Sequence, residues 1–242
     1  MSMERLAGTA PPEPSPPLAP ADPGGMGGAS PAMRLQILST EHWSLLASRS
    51  LAWNESFSRA GMFLSALSGA IVALALVAQA SAFGQGFTLF ALVILPAVLF
   101  VGVTTFIRLG ASNYHDATCV IGMNRIRAAY LEIAPDLERY FVMSAHDDAR
   151  GVAVTMGIDP HVSQPLHIIA ATPTVVSTLN SIIAATLAGL VALQVGSSIP
   201  VALVAGVAVG AATMGAHLAY GRLNIRRGQA GIRPLFPSPP GG

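Results

Sequence analysis

Residues 60–107 contain no Asp, Glu, Lys, Arg or His. A hydrocarbon core about 30 Å thick is crossed by about 20 helical residues. The stretch is too long for one crossing and the right length for two. Gly84-Gln85-Gly86 breaks it near the middle, with the permissive backbone that a tight turn uses. Residues 60–83 and 87–107 therefore read as a transmembrane helical hairpin. Residues 174–195 and 200–220 repeat the pattern and read as a second one. The predicted class is all-α: a multi-pass membrane protein of two transmembrane hairpins with cytoplasmic helix extensions.

Composition agrees. Hydrophobic residues make up 52% of the chain and charged residues 10%, against about 25% charged in soluble domains. The deficit lies in the four apolar runs. A formal net charge of +1 gives no basis for a nucleic-acid partner. The single cysteine, Cys119, excludes an internal disulfide and an all-cysteine metal site. The first 33 residues lack the basic and apolar regions of a signal peptide.

The remaining segments divide as follows. Residues 1–33 are dense in Pro, Gly, Ala and Ser and are expected to be a disordered tail. Residues 34–59 are expected to form a cytoplasmic amphipathic helix. Ser39 or Thr40 would cap it, with Leu38 stapled on Trp43. Trp43, Leu46, Trp53 and Phe57 recur at helical spacing on one face. Residues 108–173 form a cytoplasmic helical region. Its stripe of Cys119, Met123, Ile126, Tyr130 and Ile133 would pack on the Trp43–Phe57 stripe. Pro135 would open a short helix with Leu137, Tyr140 and Phe141 as its apolar face. Pro96 is expected to kink the second apolar run. Residues 221–242, basic and then Pro/Gly-rich, are expected to be disordered.

Ser181, Ala185 and Gly189 recur every four residues in the third run, and Ala202, Gly206 and Gly210 in the fourth. Small residues let helix backbones approach closely in lipid. Such a ridge serves either packing within the chain or self-association into a homo-oligomer. Charges collect on one side of all four runs, and Arg59, Arg108, Arg222, Arg226 and Arg227 mark their ends. The positive-inside rule places both termini and the middle region in the cytoplasm, with the plasma membrane as the location.

His115-Asp116 and His146-Asp147-Asp148 are the strongest pattern for metal or acid–base chemistry, followed by Asp159, His161 and His167. His-Asp doublets also occur in metal phosphohydrolases of the HD type. A region this short cannot house the helical core of such an enzyme, so these residues are read as solvated groups at a helix end. Cys119 on its apolar stripe reads as a buried thiol. No residue is assigned a catalytic, cofactor-binding or metal role, and no cofactor is expected. Inside the apolar runs the strongly polar groups are Gln79, Asn180, Gln194 and His217. Asn180 and His217 are placed near span ends, where they cost little.

The run His42-Trp43-Ser44-Leu45-Leu46 through Trp53-Asn54-Glu55-Ser56-Phe57-Ser58-Arg59 resembles integral-membrane proteins of actinobacteria that have no assigned activity. Over residues 39–141, the order of cytosolic helix, short-turn hairpin and returning helix is also similar to the two-span SLATT-like effector modules of bacterial nucleotide-signalling defence systems. That similarity implies pore formation, and the second hairpin departs from it. The expected function is a non-enzymatic membrane scaffold or sensor, acting through helix association and contacts with a cytoplasmic protein. A channel or pore-forming effector is the alternative. A metal-dependent enzyme using His146-Asp147-Asp148 is the third reading.

Overall fold

The computed structural model describes residues 30–157, 172–230 and 233–239. They form helix α1 (Pro31–Ser81), helix α2 (Gln85–Ile133), a 3-10 helix (Pro135–Tyr140), and helices α3 (Ala149–Thr155), α4 (Thr172–Gln194) and α5 (Ile199–Ala230). No strand forms among the described residues. Helices α1, α2, α4 and α5 are each long and apolar enough to cross a membrane.

Helix α1 starts earlier than the sequence suggests. Ser30 caps it, accepting from the Met33 N–H at 3.2 Å, and Pro31 occupies the first turn. The Ser30-Pro31 pair is itself a cap followed by an N1 proline. It lies inside what composition marks as tail, so Ser39 and Thr40 fall within the helix. Residues 1–29 of that tail lie outside the described residues.

The turn between α1 and α2 also differs from expectation. Ala82 and Phe83, not glycines, take the left-handed conformation, with φ of 45° and 60°. Gly84 is required for closeness instead: a Cβ there would stand 2.8 Å from the Ser81 carbonyl oxygen. Gly86 is already inside α2. That helix continues through Pro96, which faces outward.

Helix α2 is the hub. It packs along α1, along α4, more lightly on α5, and on α3 and the 3-10 helix. The core gathers Phe63 and Ala70 of α1, Ala91, Leu95, Val98, Phe106 and Leu109 of α2, and Val176 and Ile183 of α4. Outward-facing side chains in the same helices are large and apolar, among them Met62, Ile71, Val93, Phe100, Val204 and Val207.

Helices α1 and α2 run antiparallel beyond the apolar segments. The seam differs from the predicted one. Trp43 and Phe57, 69% and 59% exposed, face away from α2, whereas Trp53, 47% exposed, keeps its Nε1 on Asp116 of α2. The buried side of α1 is the next face round: His42, Leu45, Ser48, Arg49, Ala52 and Ser56. Leu45 lies over Gly122, where a Cβ would come within 2.8 Å of it. Ser56 donates to Ser112 Oγ at 2.7 Å, and His42 stacks on Tyr130 with 6.0 Å between ring centroids. Small and polar residues allow the close approach, while aromatic bulk is turned out. The predicted stripe of α2 is buried at Cys119, Met123 and Ile126. In the 3-10 helix, Leu137 and Tyr140 are exposed rather than packed.

The small-residue ridges of α4 and α5 face each other. A Cβ on Gly206 would stand 2.9 Å from the Ala185 carbonyl, and one on Gly210 would stand 3.0 Å from the Ala185 side chain. The ridge is used within the chain.

Residues 221–230 and 233–239 depart furthest from the sequence reading. Helix α5 continues to Ala230, and residues 233–239 dock against the loop before α3. The tail's own composition signals disorder. What orders it is a set of carboxylate acceptors 88 to 90 residues earlier.

Candidate functional site

The expected chemistry-bearing groups are mostly taken up by structure. Asp116, read as solvated, is buried at 4% exposure. It pairs with the Arg49 guanidinium and accepts from Trp53 Nε1 at 2.9 Å. His115 Nε2 lies 3.0 Å from Ser48 Oγ and 3.6 Å from Cys119 Sγ. Burial first, and the Asp116 charge second, push the Cys119 thiol up, which favours its protonated form.

Asp147 is likewise buried, at 2% exposure. It accepts from the backbone N–H groups of Leu235 (2.9 Å) and Phe236 (2.8 Å), and from Arg125 Nε at 2.8 Å. Burial alone would raise its carboxyl; these three donors outweigh burial and hold it below the usual carboxylate range. Asp148 caps α3 through the Gly151 N–H (2.8 Å) and accepts from the N–H (2.8 Å) and hydroxyl (2.9 Å) of Ser238. Burial raises its carboxyl too, and the donors again win.

Asn124, fully buried, joins the same corner. It donates to the His146 carbonyl at 2.7 Å and accepts from Arg127 (2.7 Å) and Thr155 (2.8 Å). The His146-Asp147-Asp148 run is thus a clamp for the C-terminal segment and the start of α3. Among the described residues no three His, Cys, Asp or Glu side chains could share a metal ion. Asp159, His161 and His167 lie outside the described residues.

A cleft of about 830 Å³ opens beside this clamp, between α2, α3, α4, α5 and Pro234 of the docked tail. One end is walled by Phe106, Ser177 and His217 and the other by Ile121 and Val152. Tyr114, Arg222, Asn224 and Ile225 flank its middle. Volumes of 300–1,000 Å³ with a largely apolar lining are typical of small-molecule sites.

Each wall follows from the chain. Helix α2 outruns the apolar segment by some seven turns. Helix α5 does the same with Arg222, Asn224 and Ile225, and Asn224 Nδ2 donates to the Gly110 carbonyl at 3.1 Å. Helix α4 opens with Thr172-Pro173 at the cleft edge.

Asn180 and His217, expected near span ends, are both buried. Asn180 has no exposed surface and His217 is 8% exposed. The ring of His217 is held edge-on to Phe106, with centroids 4.3 Å apart. Asn180 sits against Gly102, where a Cβ would overlap its Oδ1 and crowd Phe63. Sequence reasoning missed this junction and the cleft above it. The available signal was the strongly polar pair Asn180 and His217 within two mostly apolar runs.

Comparison with protein-family models, with curated proteins and with solved structures finds no match.

Proposed function

We propose that this chain is an integral membrane protein that crosses the bilayer four times as two helical hairpins. Both termini and the middle region lie on the cytoplasmic side, and the protein acts without chemistry of its own, as a scaffold or sensor. The inside-out surface of the four long helices supports the membrane placement. Contiguous exposed apolar side chains of this extent are stable against lipid and unstable against water. Charge confined to one side of the apolar segments supports the orientation.

The observation that carries the functional reading is the stalk. Helices α1 and α2 run unbroken from the apolar segments into a long antiparallel pair. One face of α1 is locked to α2 by Arg49–Asp116, Trp53–Asp116 and Ser56–Ser112. The next face round presents Trp43, Leu46 and Phe57 to the cytoplasm. Aromatic side chains at the centre of a surface are the usual anchors of protein recognition. A stiff stalk with such a face transmits a bound state between membrane and cytoplasm.

Photo-crosslinking in cells tests this. A crosslinker replacing Trp43 is expected to join a second polypeptide, and Phe57→Ser is expected to abolish the adduct. One replacing Leu45 is expected to join only α2. Crosslinks from the Trp43 position to lipid alone would overturn the protein-contact role.

A further inference from the structure

The cleft beside His217 extends along α2. Its lining on α2 runs from Phe106 to Ile121, about 22 Å at about 1.5 Å per residue. Phe106 and His217 belong to the apolar segments, whereas Ala117, Ile121, Val152 and Ile225 lie beyond them. So an apolar channel leaves the bilayer and continues past the level of the headgroups. Empty apolar surface at that height would have to be wetted.

Charge at the point of exit is selective. Arg222 lines the cleft one turn past the apolar part of α5, and among the described residues it forms no ion pair. Arg59 and Arg108, also near that level, are engaged with Glu55. Asp147 and Asp148 also line the cleft, but their oxygens already accept from Leu235, Phe236, Arg125, Gly151 and Ser238. The Asp147 charge is paired with Arg125, and the Asp148 oxygens are directed at Gly151 and Ser238. Asn113 and Tyr114 add hydrogen-bonding groups on the α2 wall.

The geometry points to a binding site for a long-chain amphiphile with an anionic head. The chain occupies the groove between Ala117, Ile121, Val152 and Ile225, and the head meets Arg222. A membrane phospholipid and a free fatty acid share this chemistry. The inference rests on the membrane placement proposed above, since that is what sets the exit level at Arg222. It supplies that reading with a ligand: the stalk, rather than the bilayer, holds the chain.

Native mass spectrometry of the full chain released from mild detergent is the test. The probes are phosphatidylglycerol, phosphatidylcholine of the same chains, oleate and inorganic phosphate. Retention of phosphatidylglycerol or oleate supports the site and identifies the source. Phosphatidylcholine retained equally well, or phosphate retained alone, overturns it.

Gly221 lines the cleft, and a Cβ there meets nothing within 4 Å. Gly221→Phe is therefore expected to fill the groove and abolish retention, while Gly221→Ser keeps it. Arg222→Gln is expected to weaken retention about tenfold, the scale of one lost charged hydrogen bond. Retention indifferent to both Gly221→Phe and Arg222→Gln would mean lipid bound at the general surface and would overturn the site. Labelling of a cysteine placed at Gln85 reports the membrane placement separately. Correct placement with indifferent retention removes the site alone, and wrong placement with groove-dependent retention removes the placement alone.

Discussion

Asn180 Nδ2 lies 3.3 Å from His217 Nε2 across the α4–α5 seam. His217 Nδ1 is 2.7 Å from the Thr213 carbonyl, which only accepts. Nδ1 therefore carries the proton, and Nε2 accepts from the Asn180 amide. Asn180 Oδ1 is left buried without a hydrogen-bond partner, turned to the place a side chain at Gly102 would occupy. The pair of α4 and α5 docks on α2 at this point.

Gly102→Ala is expected to destabilise the protein by roughly 1–3 kcal/mol, because the methyl group overlaps Asn180 Oδ1 and crowds Phe63. Thermal melting in mild detergent reads it. In an Asn180→Ala background the added cost of Gly102→Ala should fall, since one of its two clashes is gone. Equal costs in both backgrounds would show that the amide does not touch Gly102.

Gly206→Leu separates the two uses of the small-residue ridge. The ridge faces Ala185 within the chain, so the substitution is expected to lower the melting temperature through overpacking, by roughly 1–3 kcal/mol. The mass of the particle measured by light scattering should not change. A stable variant with a smaller particle would place the ridge between chains.

The two tryptophans of α1 are expected to behave differently. Trp53 Nε1 donates to the buried Asp116 carboxylate, and Trp43 is the most exposed of the stripe. Trp53→Phe should cost about 1.5–3 kcal/mol, the range for a hydrogen bond to a charged group. Trp43→Ala should be near neutral in the isolated protein. Similar losses for both would mean the stripe is packed rather than bare.

The long helices were legible because charge-free length is a strong signal. The seam of the stalk was not. Trp43, Trp53 and Phe57 form a flawless helical stripe, and hydrophobicity alone assigns it to the inside. Ser48, Ala52 and Ser56 win the seam because they let the backbones come close enough for Arg49 and Trp53 to reach Asp116. The clamp was half legible. His146-Asp147-Asp148 stands out in the sequence, but its ligands are backbone N–H groups of residues 235, 236 and 238, which carry no sequence signature. The cleft was invisible, being a gap between four segments far apart in the chain.

Acid should loosen the stalk. Burial, reinforced by the nearby Arg127 charge, pushes the His42 imidazole below its ordinary 6.5. The unfolded chain then takes up the proton first. The His42 contribution to stability is whole above about pH 6.5 and declines as pH falls from there toward the folded value. Melting curves between pH 5 and 8 should slope upward with pH, and His42→Phe, which keeps a ring against Tyr130, should flatten part of that slope. An unchanged slope would show that His42 titrates as freely in the fold as outside it.

Membrane sidedness is tested most directly by labelling single cysteines in intact cells. Cys119 is the only cysteine and is buried, so Cys119→Ser provides a clean background. A membrane-impermeant maleimide is expected to label a cysteine introduced at Gln85 or Ser197, in the two turns. It is expected to leave cysteines at Arg150 and Ser238 unlabelled until the cells are opened. Labelling of Arg150→Cys in intact cells, or protection of both turns, would contradict four crossings with both termini in the cytoplasm.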